Sequence, residues 1–321
     1  MLTAWIPTEK GLRPVPLLGG ATELIDQAVW IDAWEITAEE EKHLESHCGL
    51  DVPTREEMQQ LEVSNRLYRE GDALYLSSLM LLKTETDMPE STHVTFVLTR
   101  KRLITVRYAD TWSLRTVSAR VQKSAEYGSA EAVFLAAVEA TVERLAEMLQ
   151  RASARLEAAT VIVFSRDKGQ VIDLQEMLRG TGRSGNVLGK IRESLVDKTR
   201  LLGFAEHAGR DMVGPETLAR MRTIAHDAQA LADHASYTAG KSSFLLDATL
   251  GLIAFEQNRV IKIFSIAAVV FLPPTVVGTI YGMNFDHMPE LHWTFGYPFA
   301  LLLMLLSAVA TLFWFRLKRW L

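Results

Sequence analysis

Two unbroken apolar runs stand near the C-terminus, at 263–280 (IFSIAAVVFLPPTVVGTI) and 299–315 (FALLLMLLSAVATLFWF), and neither contains an ionisable residue. Each matches the roughly 17–25 residues that a helix needs to cross a hydrocarbon core of about 30 Å. A helix that is apolar on every side belongs inside a large protein core or inside a membrane. The absence of charge favours the membrane, where one Asp, Lys or Arg at mid-helix costs about 2.5–3.5 kcal/mol on insertion. The pattern predicts a two-helix transmembrane hairpin at the end of a long, mostly polar chain.

The polar chain reads as mixed strand and helix at first. Ala28, Val29, Trp30 and Ile31 form a strand candidate, and Thr37 to Glu40 after it matches a capping box that opens a helix. Thr54 to Glu57, just after Pro53, is a second helix start. Runs rich in β-branched and aromatic residues follow at 74–82, 94–98 and 103–108, with a tight hairpin expected at 99–102. From about Ser129 the period changes to that of a helix, and no proline occurs between Pro89 and Pro215. Helices are expected near 129–165, near 186–207 and from 216 onward, the last with no strong breaker before Pro273 and Pro274. A helix running from 215 to 280 would be a rod of roughly 100 Å. The two prolines should kink it or relax a turn. The fold class expected is therefore an α+β cytoplasmic domain over 1–215, the stalk part of a long helix over 216–262, and a hairpin. The hairpin comprises a transmembrane helix at 263–281, an external loop at 282–298, a second transmembrane helix at 299–315 and a basic tail at 316–321.

Charge refines this picture. The 321 residues carry a net charge of −5, and no basic stripe appears, which argues against a nucleic-acid partner. The single cysteine, Cys48, allows no intramolecular disulfide and fits a reducing compartment. The first residues lack the charged start and apolar core of a signal peptide, so insertion is expected to use the C-terminal hairpin. Arg259 and Lys262 precede the first span, Arg316, Lys318 and Arg319 follow the second, and the loop at 282–296 has no Lys or Arg. By the positive-inside rule both termini are cytoplasmic, with lipid as a partner; Trp293, Tyr297, Trp314 and Trp320 suit its interfaces.

Two motifs point elsewhere only on paper. Gly180 to Gly185 matches G-x-G-x-x-G, but the dinucleotide fingerprint needs a preceding strand, and a connection between two helices is the expected reading. His43, His47 and Cys48 have a spacing that zinc ligands can take, yet the surrounding glutamates suit an exposed helix better. No Ser-His-Asp set, paired-cysteine motif or phosphate loop points to an enzyme, and no cofactor is expected.

A two-span hairpin has no room for an aqueous path within one copy. Along the first span, Asn258, Ile261, Ser265, Ala268, Leu272, Thr275 and Thr279 recur at alternating steps of three and four. These small, hydroxylated or apolar residues suit packing around a narrow pore, and equally a dry helix–helix stripe. At the outer end, Gly282 permits the helix to stop, Met283 follows, and Asn284 offers a neutral amide oxygen. A ring of such oxygens suits a hydrated divalent cation such as Mg²⁺, which gives up its water reluctantly. Asp286 and Glu290 would concentrate cations at the mouth.

The sequence Tyr281-Gly282-Met283-Asn284, with Met288-Pro289-Glu290-Leu291, Trp293 and Gly296-Tyr297-Pro298, closely resembles the CorA family of magnesium/cobalt channels. Glu256-Gln257-Asn258-Arg259 and Phe271-Leu272-Pro273-Pro274-Thr275 continue the likeness, which is close over 254–321 and looser upstream. The resemblance implies a funnel-shaped homopentamer in a bacterial inner membrane, passing Mg²⁺ and, in the same class, Co²⁺ or Ni²⁺. It implies Gly282, Met283 and Asn284 as the selectivity filter, pore-facing Asn258, Leu272, Thr275 and Thr279, and closure by intracellular Mg²⁺. Asp227, Asp233 and Asp247 are the regulatory candidates, by their place on the stalk alone. Thr279 stands where some members have glycine, and Phe264 where some have leucine. Met283 favours the magnesium branch over the zinc-transporting one. Two alternatives remain: a zinc, cobalt or nickel transporter, proton coupled, and a membrane-anchored interaction scaffold. No carboxylate or histidine lies within either span to relay protons.

Overall fold

The structure, a computed structural model, describes residues 1–17, 22–58, 66–164, 173–283, 288–318 and 320. It divides into two compact units, Met1–Asp247 and Ala248–Leu321.

The first unit is built on a seven-stranded sheet of order β2-β1-β3-β7-β6-β5-β4. Its strands are β1 (Leu2–Thr8), β2 (Gly11–Pro16), β3 (Trp30–Trp34), β4 (Leu67–Glu70), β5 (Ala73–Leu82), β6 (Glu90–Thr99) and β7 (Leu103–Arg107). All neighbours are antiparallel except β3 and β7, which run parallel and join the N-terminal hairpin to the β4–β7 meander. Strand side chains alternate between faces. Ile31 and Ala33 therefore join one apolar core with Leu2, Ile104 and Val106, covered by α1 (Thr22–Gln27), α2 (Ala38–Cys48) and α3 (Arg55–Met58). The capping box at Thr37 and Glu40 opens α2, and Gly49 closes it at φ 65°.

On the opposite face, Trp30, Asp32 and Trp34 alternate with those core residues. Asp32 accepts from Thr105 Oγ1 at 2.8 Å and from Arg107 Nε at 3.0 Å and Nη2 at 2.8 Å, all buried. The Arg107 guanidinium also lies 4.4 Å from the Trp34 ring centroid, so the buried charge is paired and covered. Two helices follow, α4 (Trp112–Val121) and α5 (Ala130–Phe164), and Phe134 of α5 packs edge-on against Phe96 of β6 at 5.5 Å.

Helix α6 (Leu174–Ala208) is longer than the sequence suggests. The stretch from Gly180 to Gly185 lies inside it and is not a connection between helices. Thr181 and Ser184 are buried there, and a Cβ at Gly185 would stand 3.2 Å from Ser242 Oγ. The glycine costs helix propensity, about 1 kcal/mol against alanine, and lets α7 (Pro215–Tyr281) approach. Ser242 Oγ donates to Thr181 O at 3.1 Å across the same contact, and Arg220 of α7 makes a paired bond to Glu139 of α5 at 2.5 and 2.7 Å.

Helix α7 runs without interruption through Pro273 and Pro274. In the second unit it is followed by a short 3₁₀ turn at Pro289–His292 and by α8 (Gly296–Leu317).

Candidate functional site

Both C-terminal helices contain segments long and apolar enough to span a bilayer. Their large side chains are open rather than packed in a core: Phe264, Phe271 and Leu305 are all exposed. An isolated water-soluble unit would not present so much apolar surface. The buried-core alternative for these helices therefore fails, and a hydrocarbon environment fits.

Within the second unit α7 has two distinct faces. Ile266, Val270, Pro273, Val277, Gly278 and Tyr281 are half-buried, at helical spacing. A matching stripe on α8 runs through Ala300, Met304, Ser307, Thr311 and Phe315, and Met304 lies over Gly278. The residues at the three–four spacing, Asn258, Ile261, Ser265, Ala268, Leu272, Thr275 and Thr279, are all exposed. At about 100° per residue, this seam centres roughly opposite the stripe that meets α8. The structure brings the predicted seam residues onto one open face.

The two threonines on that face share an orientation. Thr275 Oγ1 donates to Phe271 O at 2.7 Å, and Thr279 Oγ1 donates to Thr275 O at 2.8 Å. Each hydroxyl proton is taken up by the helix backbone, so each oxygen turns lone pairs outward. The face thus offers neutral acceptors without a carboxylate, which can hold a hydrated cation weakly.

At its outer end α7 closes through Gly282 N–H to Gly278 O at 3.0 Å and to Thr279 O at 3.2 Å, then Met283 N–H to Ile280 O at 3.3 Å. Gly282 does not take the left-handed conformation. Its role is space, because a Cβ there would stand 3.1 Å from Gly278 O. Asn284 and Asp286 lie outside the described residues, as does the side chain of Glu290, whose backbone forms part of the 3₁₀ turn. Trp293 packs against Phe295 and Phe299 at 6.3 and 5.8 Å, beside the start of α8.

The acidic candidates on the stalk are exposed and separate. Asp227 lies 3.8 Å from His226 of its own helix, and Asp233 accepts from Gln229 at 2.9 Å; Asp247 is exposed. Among the described residues no group of three or more His, Cys, Asp or Glu could hold a metal. The same holds for His43, His47 and Cys48: His47 lies 3.3 Å from Asp26, and Arg102 points at the Cys48 thiol from 3.8 Å. Burial pushes that thiol above its usual range.

A mixed α+β unit, a helix that continues into an apolar segment, and a second apolar helix define a two-helix membrane protein with a large soluble part. Residues 26–319 match the family described as "CorA-like Mg2+ transporter protein", and the chain belongs to that family. The chain is 34% identical over 299 residues to the magnesium transport protein CorA of Salmonella typhimurium, covering 93% of each sequence. It is likewise 34% identical over 295 residues to that of Escherichia coli K12, covering 92% of each. Among solved structures it is similar to the complete CorA magnesium transporter of Methanocaldococcus jannaschii, with a TM-score of 0.76 and 16% identity over 100% of this chain and 99% of that one. That last likeness speaks to the fold. The family is one of transporters, not enzymes.

Proposed function

We propose that five copies of this chain assemble around the α7 seam as a channel that carries Mg²⁺ into the cell, down its electrochemical gradient. The observation that carries the reading is the open face from Asn258 to Thr279, set opposite the stripe that meets α8. A membrane hairpin that served only as an anchor needs no such face. Two spans cannot enclose a path, so several copies must contribute one seam each.

In this reading the protein holds no resident cofactor; Mg²⁺ is its cargo. Gly282, Met283 and Asn284 form the outer filter, where the Asn284 amide oxygen meets the hydrated ion through its water. The outward lone pairs of Thr275 and Thr279 continue the neutral path inward. Ile261 and Leu272, 61% and 63% exposed, form apolar rings that close it by dewetting. Asp286 and Glu290 draw cations to the mouth from the external loop, with both termini in the cytoplasm of a bacterial inner membrane. Co²⁺ and Ni²⁺ belong to the same class of hydrated divalent cargo. Asp227, Asp233 and Asp247 would bind intracellular Mg²⁺ between copies and so close the pore.

The test is divalent uptake into proteoliposomes with an Mg²⁺-sensitive dye inside and an inside-negative potential. Mg²⁺ entry that follows the potential and disappears in Asn284→Ala is the expected result. Zn²⁺ entry that follows a pH gradient, with no Mg²⁺ entry, would overturn it.

A further inference from the structure

Helices α5 and α6 leave a space between them inside the first unit. Small residues line it on both sides, Ala152 and Ala159 on α5 and Gly180 and Ser184 on α6, each pair at helical spacing. The result is a cavity of about 580 Å³, within the range of about 300–1,000 Å³ that small-molecule sites occupy. Met148, Leu156 and Val187 form a buried apolar floor, and the turn from Thr84 to Asp87, just after β5, is a third wall. Three walls and a fixed floor suit a compact ligand and not a length of polypeptide.

The charges around this cavity are almost all answered. Arg144 holds Glu85, and Arg155 holds Asp87, so the turn is tied to α5. On α6, Arg183 pairs with Glu176 at 2.7 Å, and Asp173 accepts from the N–H groups of Gln175 and Glu176 at 2.9 and 3.0 Å. Each carboxylate on the wall therefore has a cation or a helix start against it. Arg151 is different. Among the described residues its guanidinium meets only a neutral carbonyl, Nη2 donating to Thr84 O at 2.6 Å. A guanidinium has five N–H donors, so most of this one stays free beside apolar surface.

The hydroxyls on the α6 wall offer an anion nothing. Thr181 Oγ1 donates to Met177 O at 2.9 Å and Ser184 Oγ to Gly180 O at 3.1 Å, so both protons are taken by the helix backbone. An anionic head must therefore go to Arg151, whose planar fork matches a carboxylate. We infer that the cavity binds a small organic monocarboxylate, its apolar body on the floor between α5 and α6 and its head on Arg151. Thr181 also ties this site to α7, because its carbonyl accepts from Ser242 Oγ at 3.1 Å. An occupant thus braces the α5–α6 pair beside the helix that continues toward the membrane.

Protection of a cysteine from alkylation, in native membrane vesicles with the full chain, tests this. Cys48, the only cysteine, is first changed to Ser, and single cysteines are placed as Ala159→Cys in the cavity and Arg200→Cys outside it. Arg200 is exposed on α6 and does not line the cavity. The probes are 2-naphthoate and its neutral counterpart 2-naphthylmethanol. Naphthoate should slow alkylation of Ala159→Cys in a saturable way and leave Arg200→Cys untouched. Adding Arg151→Gln should raise the naphthoate concentration needed by about tenfold or more, the loss expected for a hydrogen bond to a charged group. Arg151→Lys should restore much of the protection, which a merely structural role for the arginine would not predict, and the neutral probe should be indifferent to either change. Equal protection by both probes, unmoved by Arg151→Gln, would overturn the choice of an anion. No protection by naphthoate in a protein that elutes from gel filtration like the unmodified one would overturn the site itself. Neither result bears on Mg²⁺ entry, so the channel reading stands or falls separately.

Discussion

Gly278 lies directly beneath Met304: a Cβ built on the glycine would stand 3.1 Å from Met304 Cε. The contact sets how closely the two apolar helices pack, and therefore how the opposite face of α7 is presented. Methionine is the most adaptable side chain that could stand there, so a single methyl group can be accommodated by a turn of its end. Gly278→Ala should change stability by under about 1 kcal/mol, whereas the larger Gly278→Leu should cost about 1–3 kcal/mol through overpacking. Thermal unfolding in detergent reads the first effect, and Mg²⁺ entry into proteoliposomes reads the second. Relief of the Gly278→Leu loss by Met304→Ala would tie it to this contact; a Leu variant with unchanged midpoint and entry would refute the packing role.

Leu272 stands 63% exposed on the seam, three residues before Thr275. If its ring closes the path by excluding water, a smaller or polar side chain should admit water and ions more readily. Leu272→Ala and Leu272→Ser should each raise potential-driven Mg²⁺ entry several-fold over the unmodified protein. The Ser variant should exceed the Ala variant, since it adds a polar oxygen as well as space. Equal entry in all three proteins would place the constriction elsewhere.

The sequence made some of this legible and hid the rest for physical reasons. Apolar runs long enough to cross a bilayer, the capping box at Thr37 and Glu40, and the long helical period all act locally, and each appears in the structure. The hairpin of β1 and β2 was invisible because Pro14 and Pro16 interrupt any strand pattern. They are tolerated because β2 pairs only with β1 and lies at the sheet edge, where a missing N–H need not break a ladder. Helix α6 begins well before its expected start because Gly185 answers to Ser242 across a helix contact, not to its own propensity. The period of the seam was readable, but which face α8 would cover was not, since that depends on Gly278 meeting Met304. Asn284, which carries the filter reading, rests on the resemblance and on its chemistry.

Among the described residues, the outer part of β5 has no strand beside it past the reach of β4, and α6 hydrogen-bonds to it there. Leu79 N–H donates to Asp197 Oδ2 at 2.8 Å, and Leu79 O accepts from Ser194 Oγ at 2.7 Å and from Lys198 Nζ at 2.5 Å. Lys198 is wholly buried, and burial holds its ammonium below the usual lysine range. Asp197→Ala should cost about 3–5 kcal/mol, because it leaves that buried charge without its carboxylate. The pH dependence has a definite sign. Between the lowered folded value of Lys198 and about 10.4, the unfolded chain holds more protons than the folded one, so stability rises with pH. Measured against Lys198→Met, the wild-type protein should gain stability as pH climbs toward about 10.4, then level off. A difference that stays flat with pH would show that the lysine is not paying for its burial.

Asp211 makes the opposite case at the surface. Its carboxylate accepts from Arg69 Nη1 at 2.6 Å and Nη2 at 2.9 Å, and Arg100 Nη2 adds a third bond at 3.2 Å. The Arg69 hydrogen bonds, with help from the nearby charges, pull its pKa down to about 2. An unfolded Asp titrates near 3.9, so the contribution of this pair is full above about 4 and is lost as pH falls through about 2. Asp211 is half exposed, and solvent and salt both screen the pair. The wild-type protein should therefore exceed Arg69→Gln in stability by a constant margin between about pH 4.5 and 7. That margin should shrink below about pH 4 and shrink again in high salt. Denaturant midpoints across this range decide the matter: a margin that survives unchanged at pH 2 would mean that Arg69 acts through packing of its stem and not through its charge.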